Sequence, residues 1–300
     1  MTDKYGQAVM YLPPHLRAAA MDIEEKHKVS ELVLRAGGGL SIYSSGREVR
    51  FDKTKTVTDA DLATVLEIAS RGSVHTISES LGKGYITVEG GHRIGVCGTY
   101  VKGADKNLRI RDISSVCIRI AREIKGVAKN VFSCLVRDGV FLNTLIISPP
   151  GHGKTTMLRD LVRLLSDSGF RISLVDERGE VAAKVGGVPQ FDVGRNTDVS
   201  DGISKADGAL RMLKCLSPEI IALDEITADE DVGAIEKILK CGVGVLATLH
   251  GDGIDAVTSK NGLKNLRELD AFEIAVILRK ENGKFHYEIL KAKEGEGEIK

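Results

Sequence analysis

The hydrophobic pattern of the chain changes near residue 140. Beyond that point, short apolar runs of strand length alternate with segments whose apolar residues recur at helical spacing. Such alternation is typical of a largely parallel sheet with helices on both faces, and it predicts an α/β domain. The predicted strands are 141–147, 172–175, 220–223 and 243–248, the predicted helix is 154–166, and 273–279 with 284–290 form a predicted C-terminal β-hairpin.

The first half of the chain mixes helical and strand-like segments separated by glycine turns. The predicted helices are 15–28 and 59–71, and the predicted strands are 31–35, 40–43, a hairpin at 84–101 around Gly90 and Gly91, and 116–122. This mixture predicts a smaller α+β domain. We therefore expect an N-terminal α+β domain at 1–135 and an α/β domain at 136–300.

Composition restricts the compartment and the class of protein. Hydrophobic residues make up 42% and charged residues 28% of the chain, which is typical of a soluble globular protein. The five cysteines lack a CxxC pair and metal-ligand spacing, so we expect buried or free thiols in a reducing cytoplasm. No secretion signal and no run of about 18 apolar residues is present, so any membrane contact is expected to be peripheral. The cysteines are Cys97, Cys117, Cys134, Cys215 and Cys241.

Charge is balanced overall but unevenly distributed. Residues 1–140 hold 21 Lys and Arg against 16 Asp and Glu, whereas residues 141–300 hold 21 against 26. The excess of positive charge is concentrated in 102–137, with nine basic and three acidic residues. This region is either a solvated surface or a basic face that meets an anion, such as the acidic domain of a neighbouring subunit.

A phosphate-binding loop is the strongest motif. Residues 148–155 read SPPGHGKT and lie between a predicted strand and a predicted helix, which is the context this motif requires. The two glycines let backbone N–H groups turn toward phosphate oxygens, and the helix N-terminus adds positive partial charge. Lys154 then contacts the β- and γ-phosphates, and the Thr155 hydroxyl ligates Mg²⁺. The predicted nucleotide-binding residues are Ser148, Pro149, Pro150, Gly151, His152, Gly153, Lys154, Thr155 and Thr156.

Two positions depart from the common form of this loop. Ser148 replaces its first glycine, so the backbone there must tolerate a β-carbon. His152 stands where a small polar residue is common, and we expect it to line the outer surface of the loop.

The remaining parts of a hydrolytic site are predicted at the ends of other strands. Hydrolysis of ATP needs a carboxylate for the Mg²⁺ shell and a group that orients water. Ligands bind at the carboxyl ends of strands in open α/β sheets. We expect Asp224 to hold Mg²⁺, Glu225 to orient water, and Thr248 with His250 to sense the γ-phosphate.

A second acidic cluster, DERGE at 176–180, also follows an apolar strand. It either supplies a further carboxylate, which makes Glu177 a second candidate for orienting water, or it is a self-paired charged loop. No NKxD motif follows the phosphate loop, which favours ATP over GTP.

The motifs together resemble those of the stage III sporulation protein AA family. The similar segments run from about Pro13 to Ile289 and cover both predicted domains. They read SPPGHGKTTMLRDL, DERGE, GVPQFDVGRNTDVSDGISKADGALRMLKCLSPEIIALDEIT, ATLHG, ESLGKGYITVEGGHRIGVCG and ISSVCIRIAREIKGVA.

This family is similar to the ATPases of type II and type IV secretion and to pilus motors. The resemblance implies a RecA-like P-loop ATPase domain, ATP and Mg²⁺ as ligands, and a hexameric ring of identical subunits with ATP at the domain interface. It places the acidic box at Asp176, Glu177 and Glu180, the Walker B acids at Asp224 and Glu225, and the histidine box at His250.

The resemblance also implies a cellular role and partners. The role is to power or assemble the channel between mother cell and forespore, with membrane-embedded channel proteins as partners and a cytoplasmic location at the mother-cell side of the membrane. Relatives complete the site with arginines of the N-terminal domain. The candidates here are Arg93, Arg109, Arg111 and Arg119.

Two other functions share part of this evidence. A nucleotide-binding assembly scaffold with little turnover would use the same binding residues. A motor on nucleic acid would need a basic groove with stacking aromatics, and the aromatics of the first half are few and scattered. Nucleic acid is therefore not the expected partner.

Overall fold

The computed structural model describes residues 3–52, 55–71, 84–102, 108–255, 271–281, 284–291 and 298–299. Two compact units make up the chain: Met1–Arg122 with Lys184–Gln190, and Glu123–Ala183 with Phe191–Lys300. The division therefore falls earlier than the predicted 135/136. The reason is helix α4 (Lys129–Leu135), whose Val131 and Leu135 are buried in the core of the second unit.

The first unit contains a six-stranded antiparallel sheet of order β3-β2-β1-β6-β5-β4. One hydrophobic core joins the sheet to its helices. The elements are α1 (Lys4–Val9), α2 (Pro14–Met21), β1 (Val29–Arg35), β2 (Leu40–Ser44), β3 (Arg47–Asp52), α3 (Asp59–Ser70), β4 (Tyr85–Thr87), β5 (Arg93–Lys102) and β6 (Leu108–Arg119).

Side-chain hydrogen bonds set the ends of two helices of this unit. Helix α3 begins at a capping box, in which the Thr58 hydroxyl accepts from the Asp61 N–H and the Asp61 carboxylate accepts from the Thr58 N–H. The prediction that α2 continues to residue 28 was wrong. Arg50 donates to the Asp22 carbonyl at 2.5 Å and to its carboxylate at 3.0 Å, so the chain leaves the helix after Met21.

A segment from the second half of the sequence completes the first unit. The chain leaves the second unit after Ala183, contributes Lys184–Gln190 to the first, and returns at Phe191. The Gln190 side-chain oxygen accepts the Gly90 N–H at 2.9 Å. Gly90 has a φ of 83°, in the left-handed region that favours glycine.

The second unit is built on an eight-stranded sheet of order β11-β10-β12-β13-β9-β14-β15-β16. The strands from β11 to β14 are parallel, and β15 and β16 are antiparallel. These strands are β9 (Thr144–Ser148), β10 (Ile172–Asp176), β11 (Thr197–Asp201), β12 (Ile220–Ile226), β13 (Gly244–His250), β14 (Ile274–Glu281), β15 (Lys284–Lys291) and β16 (Glu298–Ile299). The predicted α/β architecture and C-terminal hairpin are confirmed, and a two-residue pair, β7 (Val136–Arg137) and β8 (Val140–Phe141), precedes the sheet.

Both faces of this sheet are covered, because successive strand residues point to opposite sides. In β9, Ile146 joins a core that contains α5 (Lys154–Asp167). Its neighbours Leu145 and Ile147 join a second core on the other face, formed with α6 (Lys205–Cys215) and α7 (Asp229–Lys240). The carboxyl ends of the parallel strands therefore meet at one edge of a rigid layer.

Candidate nucleotide-binding site

The phosphate loop connects β9 to α5. Gly151 has a φ of 74° and Gly153 a φ of 86°, so both occupy the left-handed region that the prediction required of them. Ser148 is buried as the last residue of β9, where it lies opposite His250 of β13. A β-carbon is tolerated at Ser148 because this position is regular strand, and its hydroxyl donates to the Pro149 carbonyl at 3.0 Å.

The first turn of α5 places three polar side chains behind the loop. Lys154 is buried, and Thr155 and Thr156 are half-buried. The capping residue is Gly153, which has no side chain to accept the N–H groups of this first turn. A 14-residue helix with an uncapped N-terminus is suited to an anion. His152 is half-buried, with Nδ1 2.8 Å from the Pro150 carbonyl oxygen.

An ion pair joins the loop to the end of β12. Lys154 Nζ lies 3.2 Å from Glu225 Oε2, and Glu225 keeps 29% of its side chain exposed. Burial alone would raise the pKa of Glu225, but the charges of Lys154, His250 and Arg178 hold it below its ordinary value. Glu225 is therefore an ionised carboxylate within reach of water and of Lys154.

Asp224, the neighbouring residue, is in a different environment. Burial raises its pKa to about 6, and the negative charges of Asp176 and Glu180 act in the same direction. The register of β12 against β13 shifts between Leu223 and Glu225, which indicates a β-bulge at Asp224. A bulge re-aims side chains at the end of a strand and separates the two acids.

The oxygen atoms near Asp224 suit a Mg²⁺ ion that takes most of its ligands from phosphates and water. Among the described residues there is no group of three His, Cys, Asp or Glu side chains that could hold a metal. Mg²⁺ is ordinarily bound through one or two protein oxygens together with phosphates and water. The buried Asp224 carboxylate and the Thr155 hydroxyl are oxygens of the appropriate kind.

Two polar atoms at the end of β13 have no hydrogen-bond partner within the described part of the chain. They are Thr248 Oγ1 and His250 Nε2. Thr248 lies opposite Glu225 in the sheet, and His250 lies opposite Ser148, so both flank the phosphate loop. Buried polar atoms are nearly always paired in native proteins, so these two atoms fit a polar ligand at this edge.

The acidic cluster after β10 divides into a structural and an exposed part. The Asp176 carboxylate is fully buried and accepts the N–H groups of Glu180, Val181 and Ala182. Asp176 thus shapes its own loop, in the manner of the self-paired alternative, and the place that the resemblance gives it in an acidic box around the nucleotide stays a prediction. Glu177, the second candidate for orienting water, forms an ion pair with the buried Lys205.

Arg159 stabilises the segment that follows β10, a role that was not predicted from the sequence. It is buried in α5, donates to the carbonyls of Val181 at 2.5 Å and Glu180 at 2.6 Å, and lies 4.1 Å from the ring centroid of Phe191. Arg159 thus attaches residues 180, 181 and 191 of the segment that follows Asp176 to the helix after the phosphate loop. The sequence feature that could have indicated this role is a basic residue on the buried, apolar face of an amphipathic helix.

The N-terminal arginines lie on β5 and β6 of the first unit. Arg93 stacks on Tyr85 at 4.7 Å, and Arg119 lies 3.3 Å from Glu31. Arg111 is exposed, and the side chain of Arg109 lies outside the described residues. Their role in a nucleotide site stays a prediction.

Comparison with known proteins identifies the family. The family model for sporulation stage III, protein AA, matches residues 7–296. The chain belongs to this family. Stage III sporulation protein AA of Bacillus subtilis (strain 168) is 36% identical over 279 residues, which cover 91% of this chain and 90% of that protein.

Solved structures show the same fold at low sequence identity. The pilus retraction motor PilT with bound ADP aligns with a TM-score of 0.65 and 18% identity, over 89% of this chain and 80% of that one. The ATPase DotB of Legionella pneumophila aligns with a TM-score of 0.59 and 16% identity, over 90% and 78%. The chain thus shares the fold of these proteins, a RecA-like domain preceded by a smaller N-terminal domain. Within the residues described, no helix is long and apolar enough to cross a membrane.

Proposed function

We propose that the chain binds and hydrolyses ATP in the presence of Mg²⁺ and works as a ring-forming motor of the secretion-ATPase type. The observation that carries this proposal is the 3.2 Å pair between Lys154 Nζ and Glu225 Oε2. It joins a phosphate-binding lysine to an ionised carboxylate at the edge where Thr248 and His250 present unpaired polar atoms. Such a juxtaposition is what hydrolysis of a bound phosphoanhydride requires.

Each side chain of the site has a distinct role in this proposal. The loop N–H groups and Lys154 bind the phosphates. Thr155 and Asp224 would hold Mg²⁺, and the ion would supply positive charge to the phosphate oxygens. Glu225 orients and polarises the attacking water, for which its lowered pKa keeps it ionised. His250 donates to the terminal phosphate. Thr156 and His152 complete the rim of the loop.

Assembly and turnover are tested together. ATPase rate per subunit is measured against protein concentration alongside mass by light scattering, for the wild type and for Lys154→Ala as the phosphate-binding control. We expect activity that rises with formation of a hexamer and that Lys154→Ala abolishes. Wild-type hydrolysis no faster than Lys154→Ala would instead favour a nucleotide-binding scaffold.

The uneven charge supports a specific mode of assembly. The basic N-terminal half of one subunit docks against the acidic half of its neighbour, which completes the site with an N-terminal arginine. Ring formation should then weaken as ionic strength rises. Assembly that is unchanged between low and high salt contradicts this mode of docking.

The cellular role follows from the family. We propose that the ring powers or assembles the channel between mother cell and forespore, at the mother-cell face of the membrane and in contact with membrane-embedded channel proteins. The test is complementation of a Bacillus subtilis strain that lacks its own relative. The wild-type chain should restore spores and Lys154→Ala should not. Equal rescue by both would exclude ATP use from the role.

A further inference from the structure

The roles proposed above account for the phosphates of ATP but name no residue that holds its base. An exposed aromatic side chain lies directly against the phosphate loop. Phe285, on β15, is a large apolar residue and is nevertheless 60% exposed. A β-carbon at Gly153 would lie 3.4 Å from Phe285 Cε1 and 3.6 Å from Cδ1, so the ring lies beside the loop, across the space that a side chain at Gly153 would occupy.

The hairpin of β14 and β15 fixes the position of this ring. Lys280 and Phe285 are directly opposite in the two antiparallel strands. The Lys280 ammonium lies 5.2 Å from the centroid of the Phe285 ring, within the range of a cation–π contact. The strand pairing and the Lys280 contact thus fix the position of the ring, while more than half of the Phe285 surface is available to a ligand.

We propose that Phe285 is the base-binding residue of the nucleotide site and that it holds a purine by stacking. This inference rests on the proposed binding of ATP. The base of a nucleoside triphosphate is one ribose away from the α-phosphate, so an aromatic ring on the loop is within reach of a base whose phosphates the loop holds. Stacking on an exposed ring tolerates any base, because every base has a π-face.

The chemistry predicts weak discrimination between purines. No NKxD motif follows the loop to read guanine, and Phe285 offers only a ring face. Lys280, whose charge lies beside that ring, attracts the polyphosphate of either nucleotide equally. The ring should therefore contribute equally to the affinity for ATP and for GTP.

The experiment separates the base from the phosphates. Affinities of the full chain for ATP, GTP and inorganic tripolyphosphate, each with Mg²⁺, are measured by titration calorimetry for the wild type, Phe285→Leu, Phe285→Tyr and Lys154→Ala. We expect Phe285→Leu to weaken ATP and GTP binding about 5- to 100-fold, the range of base–aromatic stacking, and to leave tripolyphosphate unchanged. Phe285→Tyr should bind like the wild type. Leucine keeps apolar contact with Gly153, so the fold is preserved, and an unchanged melting temperature checks this.

The outcomes distinguish this inference from the proposed function. Unchanged ATP affinity in Phe285→Leu, with loss in Lys154→Ala, overturns the inference and leaves ATP binding intact. Equal weakening of ATP and tripolyphosphate also overturns it, since Phe285 would then act through the shape of the loop. Absence of ATP and GTP binding in the wild type overturns the proposed function and the inference with it.

Discussion

The ammonium of Lys154 lies 3.2 Å from the Glu225 carboxylate, at the edge of the sheet where β9 and β12 end. Glu225 therefore neutralises the Lys154 ammonium in this structure. In the proposed function, a phosphate at the loop competes with Glu225 for that ammonium. The proposal thus makes the carboxylate available to water when phosphates are bound.

Glu225→Gln should preserve nucleotide binding and remove most of the hydrolysis. The amide still accepts a hydrogen bond but cannot polarise water as an anion, so kcat should fall about 100-fold or more. ATP affinity should stay equal or increase, because a negative charge near the γ-phosphate is lost. Steady-state ATPase assays and calorimetric titration with ATP measure the two effects.

Glu177→Gln is the matched control for this substitution. Glu177 is paired with Lys205, not with the phosphate-binding lysine. Loss of the Glu177 charge should therefore reduce kcat much less than loss of the Glu225 charge does. A normal rate in Glu225→Gln together with a collapsed rate in Glu177→Gln would reverse the two roles.

Alanine substitution of the two loop glycines should have unequal effects. Gly151 and Gly153 both have positive φ, and an L-residue there costs about 1–3 kcal/mol. A new β-carbon meets nothing within 4 Å at Gly151, whereas at Gly153 it is in ordinary van der Waals contact with the Phe285 ring at 3.4 Å. Because that methyl group takes the space between the loop and the ring to which we assign the base, Gly153→Ala should weaken ATP binding more than Gly151→Ala, as titration of both variants would show. A larger effect at Gly151 would mean that the loop relaxes around Gly153.

The strands that carry the site were predictable because each is an uninterrupted apolar run. Burial on both faces of a parallel sheet produces such runs, and the loop glycines mark the turn between β9 and α5. The strand Thr197–Asp201 was not identified, since as an edge strand it is polar and half exposed. The helix Asp229–Lys240 was also missed, although its buried Val232, Ile235 and Ile238 follow helical spacing.

The parts of the site that escaped prediction depend on contacts distant in the sequence. The bulge at Asp224 is a matter of pairing between two strands, which no local pattern reveals. The pairing of Glu177 with Lys205 joins a strand end to a helix start 28 positions later. Asp176 looked equivalent to Glu177 by type and place, yet three backbone N–H groups occupy its carboxylate.

Thr248→Val should stabilise the protein without nucleotide and impair its activity. The buried Thr248 hydroxyl has no partner within the described residues, and an unsatisfied buried polar group costs about 1–3 kcal/mol. Valine has nearly the same shape, so the melting temperature should rise. The ATPase rate should fall about 10-fold or more if the hydroxyl contacts the reacting phosphate. Thr248→Ser retains the hydroxyl and should retain the rate, and a valine variant with normal turnover would remove Thr248 from the site.

Arg159→Lys should destabilise the second unit although the charge is kept. The guanidinium donates to two carbonyls and stacks on Phe191, and an ammonium can do neither in the same geometry. Loss of a charged hydrogen bond to buried carbonyls is expected to cost about 2–3 kcal/mol, measured as the shift in urea midpoint. Arg211→Lys, at an exposed position of α6, is the control and should shift it little. Similar shifts in both would show that the Arg159 contacts add no stability.

His92 should make the first unit sensitive to acid. The ring is fully buried, and Nδ1 accepts the Ala121 N–H at 3.0 Å. Burial lowers the pKa of His92 to about 4, and the Lys4 charge acts in the same direction. The ordinary value is 6.5, so between these limits the unfolded chain binds the proton and the folded chain does not. The stabilisation from neutral His92 is thus complete above pH 6.5 and is lost as pH falls toward 4, about 3 kcal/mol in all.

Hydrogen exchange of the β5 and β6 amides reports the stability of this unit between pH 4 and pH 7, once corrected for intrinsic exchange. The reference is His92→Gln, in which the amide oxygen can still accept from Ala121 but no proton is taken up. The protection of the wild type should fall relative to the variant as pH is lowered. Since the carboxylates that titrate in the same range are common to both proteins, their effect cancels in the difference. Parallel curves for the two proteins would show that His92 is protonated equally in the folded and unfolded chain.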